Sequence, residues 1–502
     1  MQIRLCHLVA FYIIHIQEAE YSQLAEDKKE DYQLFVTMET GKIRQEKVRC
    51  KVYLPERLTD PIALHFFPTE DQVPYLRRAF EFSIRGEIEN LSGAIDTRIQ
   101  AQKVYSIKLS STHWGPEITE SVLIGEPMDL QVIHFLSHDE RSSSSKIAGW
   151  FWLTPSILLR PAKWISKSWT GDVKVETVRQ FNFTLANGLP LIFDNRFRYS
   201  KNREGDTVTF TELIARYEAE ETDDIKDIDN GLSLLDDFLL LVSLAERRRC
   251  ICLGWETTDS KCITEYYRRN LTIPTPKKDE DYDDTLIPLQ KWRHFIEKAY
   301  QKFTEIEPKE YIRQAIQYTI YREGRTVENS FLTVYSAIES LVEHFGLRPN
   351  IMDQDQFKNV FSKGLRKWIR KYPLLVNERG KRRSIYEKIS ELNRVSFSSA
   401  FNNLCNSVYL EDLWPVVKRT KEISLSEIRN RLVHGDTYFN HLEQKAVSTA
   451  EKHLRWTAER LILSALGWDV SDSNVSKDSL YNRVIPCYGE WKTDQKILSR
   501  LV

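Results

Sequence analysis

The chain lacks the signatures of the commonest nucleotide-driven and metal-hydrolase chemistries. It holds no G-x-x-x-x-G-K-[ST] loop, no G-x-G-x-x-G after a strand, no H-E-x-x-H and no G-x-S-x-G. It also lacks an excess of either charge: 71 Lys and Arg stand against 72 Asp and Glu, a formal net charge of -1. Partners therefore cannot be inferred from the sum, and any charge argument has to be local. Seven cysteines, odd in number and scattered, form no disulfide framework and point to a reducing compartment, the cytoplasm. No membrane-spanning run is read. The apolar opening RLCHLVAFYIIHI, 4–16, falls short of the ~20 residues a bilayer needs. It is broken by His7 and His15, lacks a small-residue cleavage site and runs into the charged EAEYSQLAEDKKED, so it reads as a buried first strand or helix.

What is present is a soluble globular composition, 41% hydrophobic and 28% charged over 502 residues, long enough for two or three domains. From about 32 to 215 the runs YQLFVTM, KVRCKVYL, ALHFF, KVYSIKL, GWFWLT and TVTFTEL alternate or are β-branched and aromatic, and LANGLP and KNREGD supply turns. HDERSSSSK, 138–146, reads as a polar loop. The expected fold class is α+β and multidomain: a β-rich sandwich or barrel-like N-terminal domain, 1–225, then a connecting helix and hairpin with a linker, 226–285. The linker is PTPKKDEDYDDTLIP, with three prolines and a charge run. A helical bundle, 286–470, and a tail, 471–502, complete the chain.

Helical periodicity dominates the third region. FLTVYSAIESLVEHF puts Phe331, Val334, Tyr335, Ile338, Leu341, Val342 and Phe345 on one stripe, stopped by Gly346. Leu442, Ala446, Ala450, Leu454, Leu461 and Ala465 repeat the pattern over 437–468, and further helices are expected at 289–305, 309–322, 355–372 and 382–407. Between these stripes lies EIRNRLVHGD. Ser424 and Glu427 have capping-box spacing, Gly435 suits a left-handed helix stop, and Asp436 is placed to cap the next helix. Asn430 and His434, four apart, share a face, while Arg429 lies about 140° around from His434. Two readings fit: a catalytic arginine and histidine, or a charged helix end in which His434 complements the macrodipole.

The SAIESLVEHF helix, followed about ninety residues later by the capped RNRLVHGD and a last long helix, resembles the ApeA-type branch of the HEPN superfamily. The order of regions is similar to that of abortive-infection ApeA proteins. The superfamily motif is an arginine, a polar residue directly after it and a histidine four to six positions on; Arg429, Asn430 and His434 fill it, and Glu339 in AIES matches the acidic residue of the earlier helix. The resemblance implies a metal-independent endoribonuclease that works as a homodimer, needs no cofactor, cleaves RNA, with tRNA as the indicated substrate, and answers an unidentified phage-derived trigger in antiphage abortive infection. The residue chemistry agrees. Histidine titrates near neutrality and can act as base or acid, and the arginine fork suits a phosphate whose charge grows in the transition state. The other reading is a non-catalytic helical RNA-binding or scaffold module in which these residues hold a helix end.

Two further patterns bear on function. Lys363, Arg366, Lys367, Arg370 and Lys371 recur at helical spacing opposite Phe361, Leu365, Trp368 and Tyr372, and Arg382 and Arg383 follow in NERGKRRS. This stripe reads as an RNA-backbone track, against the plainer reading of a solvated helix face. Cys250, Cys252 and Cys262 have C-x-C-then-C spacing on an expected hairpin, which suits buried thiols better than zinc, as no fourth ligand is evident. Trp150, Trp152, Trp164 and Trp169 read as core packing or as a ligand surface.

Overall fold

In the computed structural model the described residues run from 32 to 500, apart from 42, 56–59, 77–79, 90–93, 115–117, 138–145, 168–172, 202–206, 221–227, 269–284, 321–325, 347–348, 406–407, 420, 436–439 and 484. The expected opening segment, the 138–146 loop apart from Lys146, most of the 274–288 linker and Asp436 lie outside them. The chain divides into two compact units, 1–239 with 250–280, and 240–249 with 281–502.

The first unit is β-rich, as the alternation predicts. Six strands close on themselves: β1 (Tyr32–Thr40), β2 (Ile43–Tyr53), β3 (Ala63–Phe67), β4 (Glu81–Glu89), β5 (Ile95–Trp114) and β6 (Ile118–Pro127), in the ring β5-β4-β1-β2-β3-β6-β5. Closure depends on the 20-residue β5. One of its edges pairs with β4; the other pairs with β7 (Asp129–Phe135) through Thr97–Gln100 and then with β6 from Val104 onward. Leu34, Val36 and Met38, alternate residues of β1, point into the ring with Val48, Cys50, Leu64 and Phe66, all buried. Period-two alternation is what places them on one face.

From β7 the sheet continues as an open arm. Its strands are β8 (Lys146–Leu153), β11 (Asn182–Thr184), β12 (Pro190–Lys201), β13 (Thr207–Glu220), β14 (Cys252–Thr258) and β15 (Cys262–Arg268), in the order β7-β15-β14-β8-β13-β12-β11. A separate ribbon pairs β9 (Ala162–Lys167) with β10 (Val173–Arg179). The hairpin β14–β15 is therefore part of the sheet and not of a separate connecting module: β14 pairs with β8, and β15 with β7. It fits because Gly254 has no side chain. A Cβ there would come within 2.2 Å of the Tyr266 carbonyl and 2.8 Å of the Trp152 ring. Trp152 is 3% exposed and belongs to the core, and Trp150 packs against that core under the Arg196 guanidinium at 4.8 Å. Core packing is thus the use of both; the side chain of Trp164 and all of Trp169 lie outside the described residues. Cys250 and Cys252 are buried, their thiols directed at the carbonyls of Thr154 and Gly254, while Cys262 donates to Asp259. Among the described residues no three His, Cys, Asp or Glu side chains form a metal-sized group.

The division between units falls inside helix α1 (Ile228–Glu246). The second unit is helical: α2 (Trp292–Glu305), α3 (Glu310–Ile320), α4 (Val327–His344), α5 (Ser362–Lys371), α6 (Arg379–Ile389), α7 (Phe397–Cys405), α8 (Leu425–Val433), α9 (His441–Ala465), α10 (Lys477–Asn482) and α11 (Pro486–Ser499). Among the described residues no helix is long and apolar enough to cross a membrane. The expected stripe on α4 is buried from Phe331 to Val342, but its last member, Phe345, is the C-cap and 39% exposed, and Gly346 at φ +60° follows. The expected helix over 382–407 is two helices, parted by the 3-10 turn Ser390–Asn393, and α5 is preceded by a π-turn, Phe357–Phe361. The tail is no appendage: α11 packs along α9.

The centre of this unit is α9, buried on all sides from His453 to Leu463, polar residues included, whereas Leu442 of the expected stripe is exposed. Its His453 is fully buried between two backbone groups. Trp414 N–H donates to Nδ1 at 3.2 Å, which leaves Nε2–H to donate to the Cys487 carbonyl at 3.0 Å. Burial, outweighing the Cys487 carbonyl and Asp412, lowers this imidazole from 6.5 to about 4. An unfolded chain takes up that proton near 6.5 and the folded chain only near 4, so stability is full above 6.5 and declines as pH falls through that window, by on the order of 1.4 kcal/mol per pH unit. Urea unfolding of the wild type between pH 7 and pH 4 is expected to weaken more steeply than that of His453→Gln, whose amide can make both bonds without titrating. Parallel curves would show that His453 is not the group responsible.

Candidate active site

Helix α8 is short, nine residues, and would not persist alone; its geometry comes from its ends. Its N-terminus is a full capping box: Glu427 N–H reaches Ser424 Oγ at 3.3 Å and Ser424 N–H reaches Glu427 Oε2 at 2.8 Å. Burial opposes ionisation of Glu427, but the Lys418 ammonium at 2.7 Å and the Ser424 donors hold its carboxyl below the usual range. The first turn also docks on the preceding segment. Leu425 and Ser426 N–H groups donate to the carbonyls of Pro415 and Val416 at 3.0 and 2.9 Å. Just before the cap, the Ile423 carbonyl accepts from Trp414 Nε1 and Gln495 Nε2, and its N–H donates to Ser499 Oγ. Leu425 and Ile428 supply the buried face.

At the other end Gly435, at φ +92°, turns the chain as its sequence position predicts. His434 is the C-cap, its N–H bonded to the Asn430 carbonyl at 3.0 Å, and both side chains are exposed. The imidazole thus stands at the open tip of the helix.

Arg429 lies half-buried between α8 and α4. One guanidinium nitrogen donates to Glu339 Oε1 at 3.4 Å, another to Asn430 Oδ1 at 3.4 Å, and its carbon sits 5.6 Å from the Tyr335 ring centroid. Tyr335 is one turn from Glu339, so α4 presents an aromatic face and a carboxylate to the same cation. Ser426 Oγ donates to the Val416 carbonyl at 2.6 Å, so the Tyr335 hydroxyl at 2.8 Å is the donor to Ser426. Burial pushes this phenol up to about 12, and it stays neutral. Glu339, Arg429 and Asn430 therefore come together, with His434 one turn along the same helix. Asn430 serves the guanidinium through its amide oxygen, not the imidazole. Sequence reasoning counted Tyr335 as part of the apolar stripe and missed its hydroxyl bond. Its position four residues before Glu339 was the available signal.

The next helix is capped by Asn440, which accepts from Glu443 N–H at 2.9 Å. The basic residues Lys363, Arg366, Lys367, Arg370 and Lys371 are exposed on α5. Arg382 is not available in the same way: it is half-buried, and its Nη1 is tied to the carbonyls of Leu375 and Val376. Arg383 is exposed and pairs with Glu387 at 3.2 Å. The apolar residues opposite the stripe are only partly buried, since Phe361, Trp368 and Tyr372 are all exposed.

The cap can be tested directly. Ser424→Ala removes an acceptor and a donor at a position 2% exposed, and is expected to lower unfolding free energy by about 1–2 kcal/mol in denaturant titration. A change within error would mean that the docked first turn alone holds α8.

Comparison of the chain with protein-family models, with curated proteins and with solved structures returns no match.

Proposed function

We propose that the chain is a metal-independent endoribonuclease of HEPN type, acting on RNA, with tRNA the indicated class, as a homodimer in abortive-infection defence against phage. The observation that carries the reading is the Arg429 guanidinium, oriented by Glu339, Asn430 and the Tyr335 ring, on the same short helix as the exposed His434.

Attack of a ribose 2′-hydroxyl on the adjacent phosphate needs a base for the hydroxyl proton, an acid for the departing 5′-oxygen and a cation for the phosphorane oxygens. His434, neutral, takes the first proton; its protonated form on a second copy supplies the other. Arg429 stabilises the charge that grows on the phosphorus oxygens. A twofold pairing of two protomers puts two such sets into one cleft, because a symmetric interface presents the same residues twice. The product is a 2′,3′-cyclic phosphate and a free 5′-hydroxyl. The β-rich unit takes the part of sensor or restraint, and the trigger is a phage-derived molecule.

In EDTA, His434→Ala and Arg429→Ala are each expected to reduce RNA cleavage by about 100-fold or more, with melting temperatures near that of the wild type, because both side chains are partly or fully exposed. A folded His434→Ala protein that cuts at the wild-type rate refutes the assignment. A large stability loss in Arg429→Ala points instead to a helix-holding role in a non-catalytic module.

A further inference from the structure

The second unit carries a basic island with misplaced aromatics. Residues 351–394 hold twelve Lys and Arg against five Asp and Glu, in a chain whose formal net charge is -1. At its centre α5 and the next residue read RKW-I-RKY: Arg366-Lys367-Trp368, then Arg370-Lys371-Tyr372. A four-residue step brings like positions of the two triplets onto the same side of the helix, roughly 6 Å apart along its axis, so Trp368 and Tyr372 share an edge with Lys367 and Lys371 beside them, while Arg366 and Arg370 lie on the far edge. An amphipathic helix ordinarily buries such rings. Here only Ser362 and Ile369 of α5 are buried, Ile369 in a small cluster with Phe357 and Ile389. Trp368 is 61% exposed and Tyr372 39%, their ring centroids 5.2 Å apart. Among the described residues no ion pair engages Lys367, Arg370 or Lys371.

We propose that this face is a platform for an unpaired RNA strand, on which Trp368 and Tyr372 stack successive bases while Lys367 and Lys371 follow the phosphates. The proposal rests on the ribonuclease reading for the identity of its ligand, and adds the strandedness and the residues that recognise it. Rings beside cations are the recurring chemistry of single-strand binding, since every base offers a π-face and every linkage an anion. A duplex keeps its bases stacked inside and offers only phosphates, so it would use the cations and leave the rings idle. The axial step between triplets is close to the phosphate spacing of an extended strand. A second copy of the same face is disfavoured by its surplus of seven positive charges. Leu374 and Val360 of the island are exposed as well, so a lipid surface is the competing occupant that the vesicle arm of the test decides.

The test uses the full-length His434→Ala protein, so that cleavage cannot interfere, with fluorescein-labelled oligouridine 12-mers, a 12-base-pair RNA duplex, and vesicles of phosphatidylcholine with phosphatidylserine. Trp368→Ala combined with Tyr372→Ala is expected to weaken oligouridine binding about tenfold or more while leaving duplex binding and the salt slope nearly unchanged. Lys367→Glu combined with Lys371→Glu should flatten the salt slope for both RNAs. Equal oligouridine affinity with and without the rings overturns the platform, as does loss of vesicle binding alone. The two readings fail separately. Cleavage by the wild type with ring-independent binding sinks only the platform, whereas ring-dependent binding without cleavage sinks only the nuclease.

Discussion

The helical unit is organised by charges that have no access to water. On α9, Arg460 is 1% exposed and forks onto Asp412 at 2.6 and 2.8 Å, with Nε on the Val475 carbonyl at 2.7 Å and Nη1 also on the Tyr409 carbonyl at 3.0 Å. Glu459, the residue before it, receives Arg247 twice, at 2.7 and 2.6 Å. Arg455 reaches the Thr319 carbonyl, Ser330 and Glu451. A buried guanidinium is tolerated only when its donors are nearly all engaged, so each of these residues fixes the position of a distant segment as a condition of its own burial. The candidate site inherits that precision. Arg460 holds Asp412, His453 holds the Trp414 N–H, and the carbonyls of Pro415 and Val416 then meet the first turn of α8. The nine-residue helix that carries Arg429 and His434 is thus positioned by side chains on a helix it need not touch.

What the sequence made legible follows from the range of the interactions involved. The α4 stripe, the capping box and the Gly435 stop are set within one or two turns, and each formed where the residue pattern put it. Barrel closure was not legible, because it depends on one long strand changing partner from β7 to β6 along the same edge, a choice made by residues far apart in the chain. The hairpin at 252–268 was legible as a hairpin but not as part of the sheet, since its partners are more than a hundred residues earlier. The burial of α9 from His453 to Leu463 was hidden for the opposite reason. Its histidine, arginines and glutamate look like a solvated face to any periodicity argument, and only their partners turn them into core.

On α5 the same logic failed in the other direction. Rings at helical spacing predict a buried face, yet the cluster available to receive them is small: Phe357, Ile369 and Ile389, with Leu365, Leu375 and Tyr386 at its edge. Arg382 closes the 372–378 turn from within, and the Tyr386 hydroxyl bonds the Arg366 carbonyl under its guanidinium. These contacts tie the module together and leave Trp368 uncovered.

Arg429 is held by two weak contacts and one firm one. Its contacts to Glu339 and Asn430 are long, 3.4 Å each, and the two partners of the ion pair are 34% and 39% exposed. Pairs of that kind contribute about 0–1 kcal/mol, so a phosphate can displace the carboxylate at small cost. The Tyr335 ring beneath is different in kind: it is 3% exposed, fixed by its hydroxyl bond to Ser426, and it keeps its position whichever anion the guanidinium faces. On the ribonuclease reading proposed above, Glu339 is a placeholder that sets the direction of the fork in the absence of RNA, and the aromatic base would preserve that direction once a phosphate replaced the carboxylate. A firmer, fully buried ion pair at this point would give a more stable helix contact and a poorer phosphate site, because the exchange would then leave a carboxylate unpaired and out of reach of water.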